Sequence, residues 1–149
     1  MSRQKKDDPQ RAGRSEEQAH FGAMLGFERM DSPEDTALFE LKLRPEHCNL
    51  YGTVHGGVVM SMLDAAGLWA GAYRDGALLK ASTAALNCNF LRGARLGPVV
   101  SLKARGEVTK RGKSIYFCSS WVYAYPGDDL IASGQGVYAL APGEPLAST

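Results

Sequence analysis

The sequence predicts an α+β domain in which one buried helix is followed by a run of antiparallel strands. Two observations carry that expectation. From Val58 to Tyr73 every residue except Ser61 and Asp64 is apolar or small, so the segment has no wet face and reads as a helix covered on all sides. After it, from Lys80 to Leu140, the pattern changes to period two and stays there, with strands following one another instead of alternating with helices. A length of 149 residues and 44% hydrophobic content suit one domain with a sizeable core.

Taken in order, residues 1–14 are too polar to pack and are expected to be disordered. Ser15-Glu-Glu-Gln18 forms an S-x-x-Q capping box, and Phe21, Met24 and Leu25 follow at helical spacing, so a short amphipathic helix should end near Gly26. Ala37, Phe39, Leu41 and Leu43 alternate with Leu38, Glu40 and Lys42, a strand with one wet face that Arg44-Pro45 ends. A loop from Glu46 to Val54 leads to the central helix. Gly56-Gly57 marks its start, and Gly71 with Arg74-Asp75-Gly76 its end. Lys80 to Leu91 reads as the next strand.

Val100, Leu102, Ala104, Gly106 and Val108 then alternate with Ser101, Lys103, Arg105, Glu107 and Thr109, and Lys110-Arg111-Gly112-Lys113 turns the chain. Ile115, Phe117, Trp121, Tyr123 and Tyr125 carry the following strand to a turn at Pro126-Gly-Asp-Asp129, and Leu130 to Leu140 is the last. Short loops make these three strands antiparallel neighbours. The expected organisation is a single domain over 15–141 and a flexible tail over 142–149. A sheet buries only one side of the helix, so the other side needs a second cover, for which a partner subunit is the simplest candidate.

A net charge of +1 provides no basic field for nucleic acid. Cys48, Cys88 and Cys118 are odd in number and lack CxxC spacing, so neither a disulfide framework nor a zinc ribbon is indicated and a reducing cytoplasm is expected. No apolar signal region follows the N-terminal charges, and the central helix, short and carrying Asp64, does not read as membrane-spanning.

A carboxylate in mid-helix among apolar neighbours is costly unless paired, which makes Asp64 the first candidate for chemistry, as a general base toward water or a nucleophile toward an acyl carbon. The plain alternative is a carboxylate turned to solvent or paired with Arg74. At the turn Val54-His55-Gly56-Gly57, unpaired N–H groups of the helix start offer a place for a developing oxyanion, or simply an ordinary Gly-rich helix start. Asn49 is either a turn former or a group that orients water or a carbonyl. Ser82 and Thr83 are strand hydroxyls or site groups. His47-Cys48-Asn49 contains the ingredients of a Cys-His-Asn system, but neighbours on one loop point different ways. A metal set of His47, His55 and Asp64 lacks a helical pair of ligands. Lys110, Arg111 and Lys113, with Arg92 and Arg95, are either solvated charges or enough positive charge to hold the phosphates of a carrier such as coenzyme A.

Asn49-x-x-Gly52-Thr53-x-His55-Gly56-Gly57, followed seven residues later by Asp64, resembles the signature of the PaaI-like thioesterases, a branch of the hotdog-fold acyl-CoA thioesterases. The likeness runs from about Gly26 to Leu140 and includes Leu-Asn87-x-x-Phe90-Leu91 and Arg111-Gly112-Lys113-Ser114. It implies a five-stranded antiparallel sheet wrapped round the central helix, dimers joined edge to edge and often tetramers, and hydrolysis of an acyl-CoA thioester without metal or organic cofactor. By position, Asp64 matches the family's catalytic carboxylate, Gly56 the N–H that polarises the thioester carbonyl, Asn49 and His55 the polar groups beside it, and Thr83 the hydroxyl near the attacking water. Trp69 is bulky for the helix segment after Asp64. The resulting expectation is an acyl-CoA thioesterase for aryl- or medium-chain groups with active sites shared between two chains, the alternative being a non-catalytic acyl-CoA sensor.

Overall fold

The apolar segment forms a 17-residue helix, α2 (Gly56–Ala72), in the computed structural model, which describes residues 20–143 and 145. A short helix α1 (Phe21–Leu25) precedes it, with strands β1 (Glu28–Met30) and β2 (Thr36–Lys42). After α2 come β3 (Tyr73–Arg74), β4 (Ala77–Leu78), β5 (Ala81–Phe90), β6 (Ser101–Arg111), β7 (Ile115–Tyr125) and β8 (Asp129–Leu140). One antiparallel sheet runs in the order β1-β2-β6-β7-β8-β5, while β3 and β4 form a separate hairpin at the end of α2. Five of the sheet strands match the expectation, and the sixth, β1, is a three-residue edge too short for alternation to mark. The Ser15–Gln18 cap lies outside the described residues. Gly26, left-handed at φ 90°, ends α1 as expected.

The helix packs against β2, β5, β6, β7 and β8, burying Val58, Val59, Met62, Leu63, Ala66 and Ala70. Along its other side Met60, Ser61, Asp64, Ala65 and Leu68 are only half covered or exposed. Gly71 does not end the helix. A Cβ there would enter the ring of Tyr116, and one at Gly67 would enter Tyr138, so both glycines are notches for strand tyrosines. The chain leaves the helix at Tyr73 and turns through Asp75 and Gly76, with φ of 49° and 79°.

Close approach decides which faces turn inward. A Cβ on Gly106 would strike the carbonyl oxygen of Ala66, so the strands beneath α2 must present small residues. On β7 the inner set is Cys118, Ser120, Val122 and Ala124 with one large member, Tyr116, which fits because Gly71 leaves room for its ring, and the bulky Phe117, Trp121 and Tyr123 lie on the outer face. Val100 falls outside β6 and is exposed, which corrects the expected inward run there.

Register shifts at Ala84 in β5 and at Thr109 in β6 each insert one residue and invert the alternation beyond it. They bring Thr83 opposite Tyr138, and Arg111 opposite Tyr116, on the face that meets α2.

Candidate active site

Asp64 stands on the uncovered side of α2, toward the edge strand β5, where the Thr83 hydroxyl donates to its Oδ1 at 2.7 Å. A hydroxyl-to-carboxylate bond of that length is charge-assisted and fixes the rotamer of the acid. The plain alternative of an Asp64–Arg74 pair does not occur, since Arg74 binds Glu34 and Asp35 at 2.7 and 2.6 Å. Thr83 is thus placed beside Asp64, while Ser82, its exposed neighbour, is not a partner of the acid.

At the other end of the helix His55 is the N-cap, its Nδ1 accepting from the Gly57 N–H at 2.9 Å. The N–H groups of Val58 and Val59 go to the His55 carbonyl at 2.9 and 3.3 Å. Among the described residues the Gly56 N–H meets no acceptor, so the donor left over at this helix start is the one in which the sequence suggests an oxyanion site. Beside it opens a cavity of about 350 Å³ lined by Val54, Gly56, Val59, Phe90, Leu91 and Ile131. Its side-chain walls are mostly apolar, with Arg92 as the charged group among the lining residues.

Asn49 is the clasp of the loop before α2. Its Oδ1 accepts from the Tyr51 and Thr53 N–H groups at 2.9 and 3.2 Å, and its own N–H reaches the Thr53 carbonyl at 2.8 Å. His47 is buried, with Nδ1 accepting from the Arg44 N–H at 3.0 Å and Nε2 donating to the Leu25 carbonyl at 2.8 Å. Both ring nitrogens are used in holding the loop, which removes His47 from a Cys-His-Asn or metal arrangement with Cys48, Asn49 and His55.

The cations do not form one patch within a chain. Arg92, at the N-terminal end of α2, pairs with Asp129 at 3.2 Å, whereas the 110–113 hairpin lies at the C-terminal end. Arg111, expected as a phosphate ligand, is turned inward by the Thr109 bulge. It donates to the Gly71 carbonyl at 3.1 Å and to Asp35 Oδ1 at 2.7 Å. Its guanidinium anchors the helix terminus, leaving the exposed Lys110 and Lys113 as the charges of that turn without an ion pair among the described residues.

Three neighbours of the site were given no role from sequence. Phe90 lies against Gly56, with ring atoms 3.6 and 3.7 Å from where a Cβ of that residue would be. Cys88 lies on the same face of β5, where burial first and the Asp64 charge second push its thiol up, so it stays protonated at neutral pH and is no nucleophile. Tyr138, fully buried, reaches the Asp64 carbonyl with its hydroxyl. Trp69, one and a half turns beyond Asp64, turns away to pack on Phe39 and Tyr73 under Arg29, so it does not crowd the acid.

Solved structures share this architecture. The E. coli PaaI protein from the phenylacetic acid degradation operon superposes with a TM-score of 0.72 at 22% identity, covering 82% of this chain and 84% of that one. Zebrafish thioesterase superfamily member 2 gives a TM-score of 0.67 at 23% identity, covering 77% and 81%. The fold is therefore the hotdog. In sequence, the Pseudomonas aeruginosa protein named "Putative esterase PA0474" is 31% identical over 100 residues, which are 67% of this chain and 72% of that protein. The thioesterase superfamily pattern matches residues 51–131, more than half of the chain. The chain belongs to the thioesterase superfamily and is a thioester hydrolase. Among the described residues no helix is long and apolar enough to cross a membrane.

Proposed function

We propose that this chain hydrolyses the thioester of an aryl- or medium-chain acyl-CoA, with Asp64 as general base and the Gly56 N–H as oxyanion donor. The observation that carries this reading is the Asp64 carboxylate held at one oxygen by Thr83, on a helix whose first N–H meets no acceptor among the described residues. The second carboxylate oxygen takes a proton from water as the water oxygen bonds to the thioester carbon. Negative charge moves to the carbonyl oxygen, where the Gly56 N–H and the helix dipole stabilise it. Collapse breaks the carbon–sulfur bond, and a thiolate with a pKa of about 8.5 departs without a strong general acid. The proton held by Asp64 returns to the thiolate. Asn49 and His55 support this site by holding its loop and capping its helix.

Two copies are needed to assemble it. Gly56 and Asp64 are eight residues apart in α2, roughly 12 Å along the axis. A base acting through one water and an oxyanion donor must both lie within a few Å of one carbon. Pairing across a two-fold axis brings Asp64 of one protomer to Gly56 of the other. The sheet has two edges for this, and they differ in kind: β1 is three residues long and carries Glu28 and Arg29, whereas β5 is ten residues long with no charge or proline. A long uncharged edge invites pairing with its own copy. The half-covered line Met60, Asp64, Leu68 gains its cover in the same dimer. The half-buried aromatics on the outer sheet face suit further association into a tetramer. Lys110, Lys113 and Arg92 are the cations offered to the phosphates of coenzyme A. Three free cysteines accord with a reducing cytoplasm.

Thiol release over a panel of acyl-CoAs tests the reading. Turnover of aryl- or medium-chain members is expected. Tight binding with no turnover of any member would instead make the chain a non-catalytic acyl-CoA-binding protein.

A further inference from the structure

A single cross-strand row holds the catalytic half of α2. Thr83, Tyr138, Tyr116 and Arg111 lie opposite one another on β5, β8, β7 and β6, and every one of them donates to the helix. Thr83 reaches Asp64 Oδ1 at 2.7 Å, Tyr138 the Asp64 carbonyl at 3.5 Å, Tyr116 the Leu68 carbonyl at 2.6 Å, and Arg111 the Gly71 carbonyl at 3.1 Å. The two tyrosine rings stack with centroids 5.3 Å apart, and each seats its ring or hydroxyl in a glycine notch, Tyr138 at Gly67 and Tyr116 at Gly71. Asp64 is thereby held at its carboxylate by Thr83 and met at its main chain by Tyr138, whose hydroxyl lies at the outer limit of hydrogen-bond distance. Because Thr83 and Tyr138 are register partners, the two contacts sit at a fixed spacing.

We propose that Tyr138 is a positioning residue for Asp64: seated in the Gly67 notch, it sets the rotation and height of the helix turn from which the carboxylate meets Thr83. This rests on the reading of Asp64 as the base. Burial, and next the Asp64 charge, hold the Tyr138 phenol well above its ordinary range, so it keeps its proton and remains a donor at any pH at which the enzyme works. Tyr116 secures the following turn, and Arg111 the last, so the row fixes α2 progressively toward its C-terminus.

Tyr138→Phe keeps the stacked ring and removes only the hydroxyl. It should lower kcat about 10-fold with KM within roughly 2-fold, as misplacement of a catalytic group does. In an Asp64→Asn background the same change should cost less than about 2-fold, because the two act through one group. The carboxyl ¹³C resonance of Asp64 should move in Tyr138→Phe. A lower melting temperature with unaltered kcat and an unmoved Asp64 resonance would overturn the inference, as would an equal kcat loss in both backgrounds. If the wild-type protein turns over no acyl-CoA, the reading of Asp64 as base fails by itself. The resonance then still decides the role of Tyr138, a moved signal supporting the hold on Asp64 and an unmoved one refuting it.

Discussion

The bond from Thr83 Oγ1 to Asp64 Oδ1, 2.7 Å long, divides the carboxylate into a held oxygen and one that meets no donor among the described residues. Thr83→Ala should therefore lower kcat roughly 10-fold while leaving KM nearly unaltered, since the group orients the base and does not bind substrate. Thr83→Ser keeps the donor and should recover most of the rate. Steady-state kinetics of both variants check this, and a rise in KM without loss of kcat would assign Thr83 to substrate binding.

Asp64→Asn should reduce kcat by about 10²–10⁴-fold with the fold retained, because an amide cannot accept the proton. Base and nucleophile are separated by a single turnover of excess enzyme in ¹⁸O-labelled water. A general base leaves the label in the released acid and none in Asp64, which mass spectrometry of the protein reads.

Asn49 closes its loop through two backbone N–H groups, so Asn49→Ala should cost roughly 1–2 kcal/mol of stability. Urea denaturation measures that loss. Activity should fall with it, as the loop delivers His55 and Gly56 to the helix start.

The cations of the 110–113 turn should separate into two kinds. Arg111→Ala is expected to lose roughly 1–2 kcal/mol of stability, a modest figure because its partner Asp35 is half exposed. Lys110→Ala and Lys113→Ala should leave the melting temperature in place and raise KM for acyl-CoA, an effect that shrinks as salt is added. Thermal melts and KM at two ionic strengths distinguish the two outcomes.

Much of this was legible in the sequence because it depends on local pattern. The all-apolar run from Val58 to Tyr73 marked α2, alternation marked β2 and most of β6, and the two glycines after His55 marked the helix start. What escaped depends on phase. Thr83 and Phe90 are seven residues apart, so strict alternation puts them on opposite faces, and only the extra residue at Ala84 turns both toward α2. The same device at Thr109 turned Arg111 from an expected surface charge into a helix anchor. Gly67 and Gly71 carried a signal of their own, small residues four apart facing one way on a helix, but their partners Tyr116 and Tyr138 come from strands 40 or more residues away.

The central claim is that one site joins Asp64 of one protomer to the Gly56 N–H of another. Gly56→Pro deletes that N–H with little else disturbed. It is the first helical residue, where proline is accepted, His55 before it is already extended at φ −62° and ψ 135°, and a Cβ would meet Phe90 at an ordinary 3.6 Å. Inactive Gly56→Pro chains and inactive Asp64→Asn chains would be mixed, unfolded and refolded together, and thiol release measured per mixed dimer. A shared site restores one intact centre to each mixed dimer, about half of the wild-type activity per dimer. Stable mixed dimers that stay inactive, or a monomer that is active alone, would contradict the account.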